Sequence, residues 1–131
     1  MVPTVRVAGC LLVPIQIDLD DATVERLQQQ LLHEIEAERA QAVILDVSMV
    51  DVIDSYISYT ISETASMARL MGCRTVLCGI RPHVALTLAQ MGVRLRHVAF
   101  ARDLEHALTL ARGRLTGGTP GIAPPEPRIR S

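Results

Sequence analysis

The sequence predicts a single α/β domain, in which a mixed, partly parallel sheet of four or five strands packs with about four helices. Two short runs of strand length, Ala42–Val47 and Arg74–Cys78, alternate with longer segments whose apolar residues recur at helical spacing. Strands and helices that alternate in this way are typical of α/β folds. The 131 residues suit one domain, and the 49% of hydrophobic residues predict an aliphatic core, since the chain has one Phe, two Tyr and no Trp.

The first third of the chain predicts a hairpin followed by a helix. Thr4–Val7 and Leu11–Ile17 are short β-branched and aliphatic runs separated by Gly9. Pro14 lacks an amide proton, which places the second run at a sheet edge or at a bulge. Asp20 or Asp21 can cap the helix that follows. The apolar stripe of this helix consists of Val24, Leu27, Leu31 and Ile35.

The remaining elements follow from similar signals. Ala42–Val47 is continuously apolar, so it is expected to be a central strand. Pro82 suits the first turn of a short helix, Gly92 suits the end of that helix, and Asp103 can cap the last helix. The later predicted elements are a helix from about Ser55 to Leu70, a strand at Arg74–Cys78, a helix at Val84–Met91, an edge strand at Val98–Phe100 and a helix ending near Arg112.

Composition changes abruptly after Arg112. Residues 113–131 are rich in Gly, Pro and Arg and contain few large aliphatic residues, so they cannot bury enough apolar surface to offset the entropy of ordering. The predicted organisation is therefore a folded domain over residues 1–112 and a disordered tail over residues 113–131.

The charged and reactive residues exclude several classes of protein. All 13 basic residues are Arg, which excludes Schiff-base chemistry and a Walker A lysine, and the net charge of −1 argues against a nucleic-acid-binding domain. The apolar runs fall well short of the roughly 20 residues that span a bilayer, and no signal peptide is evident. We therefore expect a cytoplasmic protein with no membrane association. The three cysteines and four histidines lack ligand spacing, so we expect free thiols, no metal and no cofactor.

Charge is distributed unevenly along the chain. Residues 40–68 contain four acidic residues and no basic residue. The members of this set are Asp46, Asp51, Asp54 and Glu63. The segment is either a solvated acidic rim or an acidic docking surface for a basic partner.

The segment over residues 44–70 carries the most specific signal. A predicted strand is followed by an unusually apolar loop, Ser48–Ile53, and then by Asp54-Ser55 at the start of a helix. Some apolar loop residues must close the core, and we expect Met49, Val50 and Val52 to be exposed as a contact patch. Ser55 is expected to cap the helix through its hydroxyl.

This segment resembles the STAS domain, the sulfate-transporter and anti-sigma-factor-antagonist family, in which an Asp-Ser pair opens the helix after the third strand. The usual pattern continues with a small residue and a Gly, whereas Tyr56-Ile57 is more similar to the RsbS-type antagonists of the stressosome. A second block resembles stressosome STAS proteins as well, and the resemblance covers about residues 3–112. The second block comprises Gly79–Pro82, Val84-Ala85, Thr87-Leu88 and Met91–Val93. The tail and Ser58, where relatives often have Gly or Ala, depart from the pattern.

The resemblance implies a non-enzymatic signalling module with Ser55 as its phosphoacceptor. The implied partners are an RsbR-like STAS paralogue, an RsbT-like serine/threonine kinase and a phosphatase, with a homodimer and a large hetero-oligomer as the implied assemblies. The expected partner-binding patch consists of Met49, Asp51, Asp54 and Tyr56. A phosphate adds about −1.5 to −2 charges at pH 7. Beside Asp46, Asp51 and Asp54 it would repel a partner that fits the unmodified surface.

Three alternatives remain open at this stage. One is a SpoIIAA-type antagonist that binds an anti-sigma kinase directly, without a large assembly. Another, from a different class, is a small-molecule sensor or an enzyme, for which no phosphate loop, catalytic pair or metal set is evident. A hydrolase triad of Ser55, Asp54 and His83 has no G-x-S-x-G turn to support it. Thr87 is a further candidate for phosphorylation.

Overall fold

Five strands and four helices follow one another along residues 2–116, the part of the chain that the computed structural model describes. They are β1 (Val5–Val7), β2 (Cys10–Pro14), α1 (Asp21–Glu38), β3 (Ala42–Asp46), α2 (Ser55–Leu70), β4 (Arg74–Cys78), α3 (Pro82–Gln90), β5 (Val98–Ala101) and α4 (Leu104–Thr116). The predicted α/β domain with a mixed sheet and four helices is confirmed. Helix α4 ends at Thr116 rather than near Arg112. The rest of the predicted tail, residues 117–131, lies outside the described residues.

The strands lie in the sheet in the order in which they occur along the chain. Strand β1 is antiparallel to β2, whereas β2, β3, β4 and β5 are mutually parallel. Right-handed crossovers between successive neighbours place α1, α2 and α3 on the same face. Helix α4 follows the last strand and packs on the opposite face, against β3, β4 and β5.

Each face of the sheet has its own aliphatic core. The larger core contains Leu11, Val43 and Leu77 from the sheet, together with the predicted stripe of α1 and buried residues of α2 and α3. The smaller core joins Ile44 and Val76 to α4. Side chains on a strand alternate between faces, so the two cores draw on alternate residues of the same strands.

Pro14 occupies a position where its missing amide proton has no cost. The amide of Ile15 donates to Asp46 of β3, so the amide position of Pro14 faces the other way, towards β1. Strand β1 pairs only with Cys10, Leu11 and Leu12 of β2, so it does not extend as far as Pro14. The sheet edge predicted for Pro14 is therefore a local one, left open by a short neighbouring strand.

Parallel strands bring their carboxyl ends to one edge of the sheet, and this edge positions the loop before α2. The amide of Val47 donates to the carbonyl of Cys78, which joins the ends of β3 and β4. Gly79 has φ +78°, and a Cβ added there would lie 3.0 Å from the Ser48 Cβ. The absence of a side chain therefore lets the turn after β4 lie directly against the loop after β3.

Candidate functional site

The loop after β3 divides its apolar residues between core and surface. Val50 and Ile53 are each 3% exposed and belong to the larger core, whereas Met49 is 66% exposed and Val52 67% exposed. The expectation that Val50 is part of an exposed patch is wrong, because its side chain closes the end of the core. Met49 and Val52 remain as an exposed apolar pair, which is a feature of contact surfaces.

Helix α2 is capped by Asp54 and not by Ser55. The Asp54 Oδ1 accepts a hydrogen bond of 2.8 Å from the amide of Ile57, and the Asp54 backbone is extended, as an N-cap residue requires. Ser55 is the first helical residue and is exposed. The hydroxyl of Ser55 is therefore not needed for the cap, and the amides of the first turn have no acceptor within the helix.

Two of the acidic residues near Ser55 have basic or hydrogen-bonding partners that the sequence did not indicate. The Arg81 guanidinium, from the turn before α3, pairs with Asp51 at 2.5 Å, and the His83 Nε2 lies 3.9 Å from the same carboxylate. The Asp46 Oδ1 accepts a hydrogen bond from the amide of Ser48 at 3.0 Å. The loop is therefore not a purely negative surface, because a cation distant in the sequence lies beside the exposed carboxylate of Asp51.

Tyr56 lies on the other side of α2, where α1 and α2 pack together. This residue is 39% exposed, and its hydroxyl donates to the Glu25 carboxylate of α1. This hydrogen bond raises the pKa of Tyr56. Gln28 of α1 likewise donates to the Thr64 hydroxyl at 2.9 Å. Tyr56 is thus oriented by α1 and remains partly exposed to solvent.

The other hydroxyl groups near the site differ in accessibility. Ser58 is fully buried, and its Oγ has no hydrogen-bond partner within the described part of the chain. Thr60 and Thr64 are buried and donate to carbonyl oxygens one turn earlier in α2. Thr87 of α3 is exposed, although its hydroxyl donates to the His83 carbonyl. Ser55 and Thr87 are therefore the accessible hydroxyls among these five residues.

No triad geometry joins Ser55 to His83. The His83 ring nitrogen Nε2 lies 3.2 Å from the backbone carbonyl of Asp51, and the Asp54 carboxylate is engaged in the helix cap. Within residues 2–116, no group of three or more His, Cys, Asp and Glu side chains could hold a metal ion. The same part of the chain contains no helix that is both long and apolar enough to cross a membrane.

Ser55 also lines a groove that the sequence analysis missed. This groove, called here the α2 groove, has a volume of about 430 Å³ and lies between α2 and residues 93–97. Its main lining residues are Ser55, Tyr59, Ser62, Arg94, Arg96 and His97. Positions 55, 59 and 62 lie on one face of a helix, and the charge excess after residue 93 was visible in the sequence. Neither signal alone indicates that the two segments meet.

Comparisons with known proteins agree with this geometry. The sequence model of the family described as the STAS domain matches residues 1–107. A solved serine-to-glutamate variant of RsbS from Moorella thermoacetica is 32% identical, has a TM-score of 0.74, and covers 88% of this chain and 97% of its own. A chain from a structure of the stressosome, described as a signal integration and transduction hub, is 28% identical, has a TM-score of 0.67, and covers 86% of this chain and 98% of its own.

The curated relatives are longer proteins. The RsbT co-antagonist protein RsbRA of Bacillus subtilis is 29% identical over 98 residues, which are 75% of this chain and 36% of that protein. This chain therefore spans about a third of the length of the curated relatives it matches, whereas it corresponds to nearly the whole of the two solved chains.

Proposed function

This chain belongs to the STAS domain family, and on that premise we propose that it is an RsbS-like anti-sigma-factor antagonist that holds a serine kinase until Ser55 is phosphorylated. The similarity to RsbS and to a stressosome chain supports this class of function. STAS antagonists generally act by binding other proteins, and the proposed role of this chain involves no catalysis of its own.

One observation carries the proposal: the Ser55 hydroxyl is exposed on the first turn of α2, while Asp54 supplies the cap. A kinase can therefore engage this hydroxyl without breaking a hydrogen bond that holds the helix. In the reaction, the γ-phosphoryl group of ATP is transferred to the Ser55 Oγ, the hydroxyl proton leaves, and ADP is released. The helix dipole and the open amides of the first turn favour the phosphate.

The surface around Ser55 supports a protein partner. Exposed Met49 and Val52 supply apolar contact area, the Asp51–Arg81 pair supplies polar contacts beside them, and Tyr56 supplies a further polar group on the α1 side of α2. We assign this surface to the RsbT-like kinase. A phosphatase would restore the unmodified serine, and Thr87 is a second accessible acceptor for the kinase.

We further propose that the chain forms a homodimer and joins an RsbR-like STAS paralogue in a large complex. Analytical ultracentrifugation of the chain alone and mixed with the paralogue tests this. A particle much larger than a dimer in the mixture is expected. A monomer or dimer under every condition would instead favour the second candidate, a SpoIIAA-type antagonist that binds its kinase directly.

Two substitutions of Ser55 test the switch. Ser55→Asn is neutral and Ser55→Asp carries one negative charge, and neither variant can accept a phosphate at this position. With the RsbT-like kinase, Ser55→Asn is expected to bind as tightly as the unmodified wild-type chain, and Ser55→Asp is expected to bind more weakly. Thr87→Val serves as a control that removes another accessible hydroxyl and leaves Ser55 in place. Equal kinase affinity of the Asn and Asp variants, or full phosphorylation of the Asn variant, would refute Ser55 as the switch.

A further inference from the structure

The α2 groove places two arginines along the same helix face as Ser55. The amide of Arg96 donates to the Ser62 hydroxyl at 2.9 Å, and the His97 Nδ1 lies 2.9 Å from the Arg69 Nη1. The later residue, His97, contacts the end of α2, and the earlier residue, Arg96, contacts a position nearer its start. Residues 96–97 therefore run antiparallel to the helix. Arg94 comes two residues earlier and lines the same groove as Ser55.

The charges around this groove favour an anion. No ion pair of Arg94 or Arg96 is found among the described residues, and both residues are exposed. The one carboxylate among the residues that line the groove is Glu63, which accepts hydrogen bonds from Gln28 of α1 at 3.2 Å and from the Tyr59 hydroxyl of α2 at 3.5 Å, not from Arg94 or Arg96. The groove therefore presents two uncompensated guanidinium groups beside the proposed phosphoacceptor.

We propose that, once Ser55 carries a phosphate, Arg94 and Arg96 of the same chain bind that phosphate across the α2 groove. This inference rests on the phosphorylation of Ser55 proposed above and specifies what the phosphate does. Guanidinium groups bind phosphate oxygens through paired, charge-assisted hydrogen bonds. The contacts of Arg96 with Ser62 and of His97 with Arg69 hold residues 96–97 on α2, so the two arginines lie on a segment that is already packed against this helix.

The consequence differs from simple electrostatic repulsion. Two arginine side chains that fold over the groove would cover Tyr59, which is 62% exposed. The phosphate charge would also be largely neutralised within the chain. A partner that also contacts the α2 groove would then be released mainly because this surface is covered, with the added negative charge as the smaller contribution.

The pKa of the phosphate reports this contact directly. Phosphoserine can be inserted at position 55 during synthesis, which removes any need for a kinase, and ³¹P NMR then gives the second pKa of the phosphate, ordinarily about 6. In the wild-type chain it is expected to lie about half a unit or more below its value in the Arg94→Gln/Arg96→Gln double variant, because a nearby cation favours the dianion. The wild-type chain and the double variant both contain the other titratable residues around the groove, which are Tyr59, Glu63 and His97.

Arg102→Gln is the matched control, since it removes an exposed arginine that does not line the groove. This variant is expected to keep the wild-type phosphate pKa. Equal pKa values in the wild-type chain and the double variant would overturn the contact with Arg94 and Arg96, and the proposed kinase switch would stand. A pKa difference together with a kinase that ignores Ser55 would retain the contact and overturn the proposed function.

Discussion

The assignment of the helix cap to Asp54 makes a quantitative prediction about two adjacent residues. Asp54→Ala removes the carboxylate that accepts from the amide of Ile57 at 2.8 Å, so it leaves a donor at the start of α2 without an acceptor. Loss of an Asp cap destabilises a protein by about 1 kcal/mol, within a range of about 0.5 to 2 kcal/mol. Ser55→Ala removes an exposed hydroxyl with no capping role, and its effect is expected to stay within about 0.5 kcal/mol.

Urea unfolding followed by circular dichroism measures both free energies of unfolding. In thermal unfolding, the Asp54→Ala variant is expected to melt a few degrees lower, since about 1 kcal/mol shifts Tm by roughly 4 °C in a domain of this size. Asp18→Ala is a control, because it removes an exposed carboxylate that lies outside the helices. The reasoning fails if Ser55→Ala costs as much stability as Asp54→Ala, since Ser55 would then be the cap.

Three further predictions concern the surroundings of the site. Gly79→Ala forces a side chain into a left-handed backbone with φ +78° and is expected to destabilise the domain by about 1 to 2 kcal/mol in urea unfolding; unchanged stability would contradict the close approach. Burial raises the pKa of Cys73 to about 12 and that of Cys78 to about 11, so both thiols should resist a thiol reagent at pH 8 until the chain unfolds. As pH rises past 9.0, these thiols ionise in the unfolded chain before they ionise in the folded chain. The free energy of unfolding should therefore fall between pH 9.0 and about 12, and a free energy that does not change with pH in this range would refute the raised pKa values. Val50→Ala should cost about 2 kcal/mol more than Val52→Ala, because only Val50 is buried; equal costs measured by urea unfolding would refute this difference.

The sequence predicted elements best where the periodicity and the end signals agreed. Helix α2 and strand β4 have the bounds that the sequence indicated. An amphipathic helical repeat ends at Gly72, and a short run of strand-forming residues follows it. Such local signals set an element without reference to the rest of the fold.

The cap of α2 was assigned to the wrong one of two adjacent residues, although the helix bounds were right, and the reason is physical. Asp and Ser are almost equally good N-cap residues, so propensity cannot decide between Asp54 and Ser55. The decision depends on where the loop after β3 leaves the sheet. Val50 and Ile53 determine the path of this loop because both pack into the core. An irregular loop has no periodicity, so their burial could not be predicted from the sequence pattern.

Contacts between distant segments were beyond the sequence for a different reason. Asp51 lies 30 residues from Arg81, and Ser62 lies 34 residues from Arg96. A tally of charge along the chain finds an acidic stretch and a basic stretch but gives no information on which residues lie side by side. The order of the strands decides this, because it places the turn after β4 beside the loop after β3 and places residues 93–97 beside α2.

The division of roles between Asp54 and Ser55 lets the proposed phosphorylation site lie at a structural boundary without weakening the fold. If Ser55 were the cap, its hydroxyl could not be modified without disturbing the hydrogen bond that starts α2. Because the Asp54 carboxylate makes that bond, the exposed Ser55 hydroxyl can gain or lose a phosphate while the helix stays capped. On one side of Ser55 the loop carboxylate of Asp51 is already paired with Arg81, and on the other side the α2 groove offers Arg94 and Arg96. Arg94 and Arg96 have no ion pair among the described residues, so a phosphorylated side chain at Ser55 is expected to turn towards the groove.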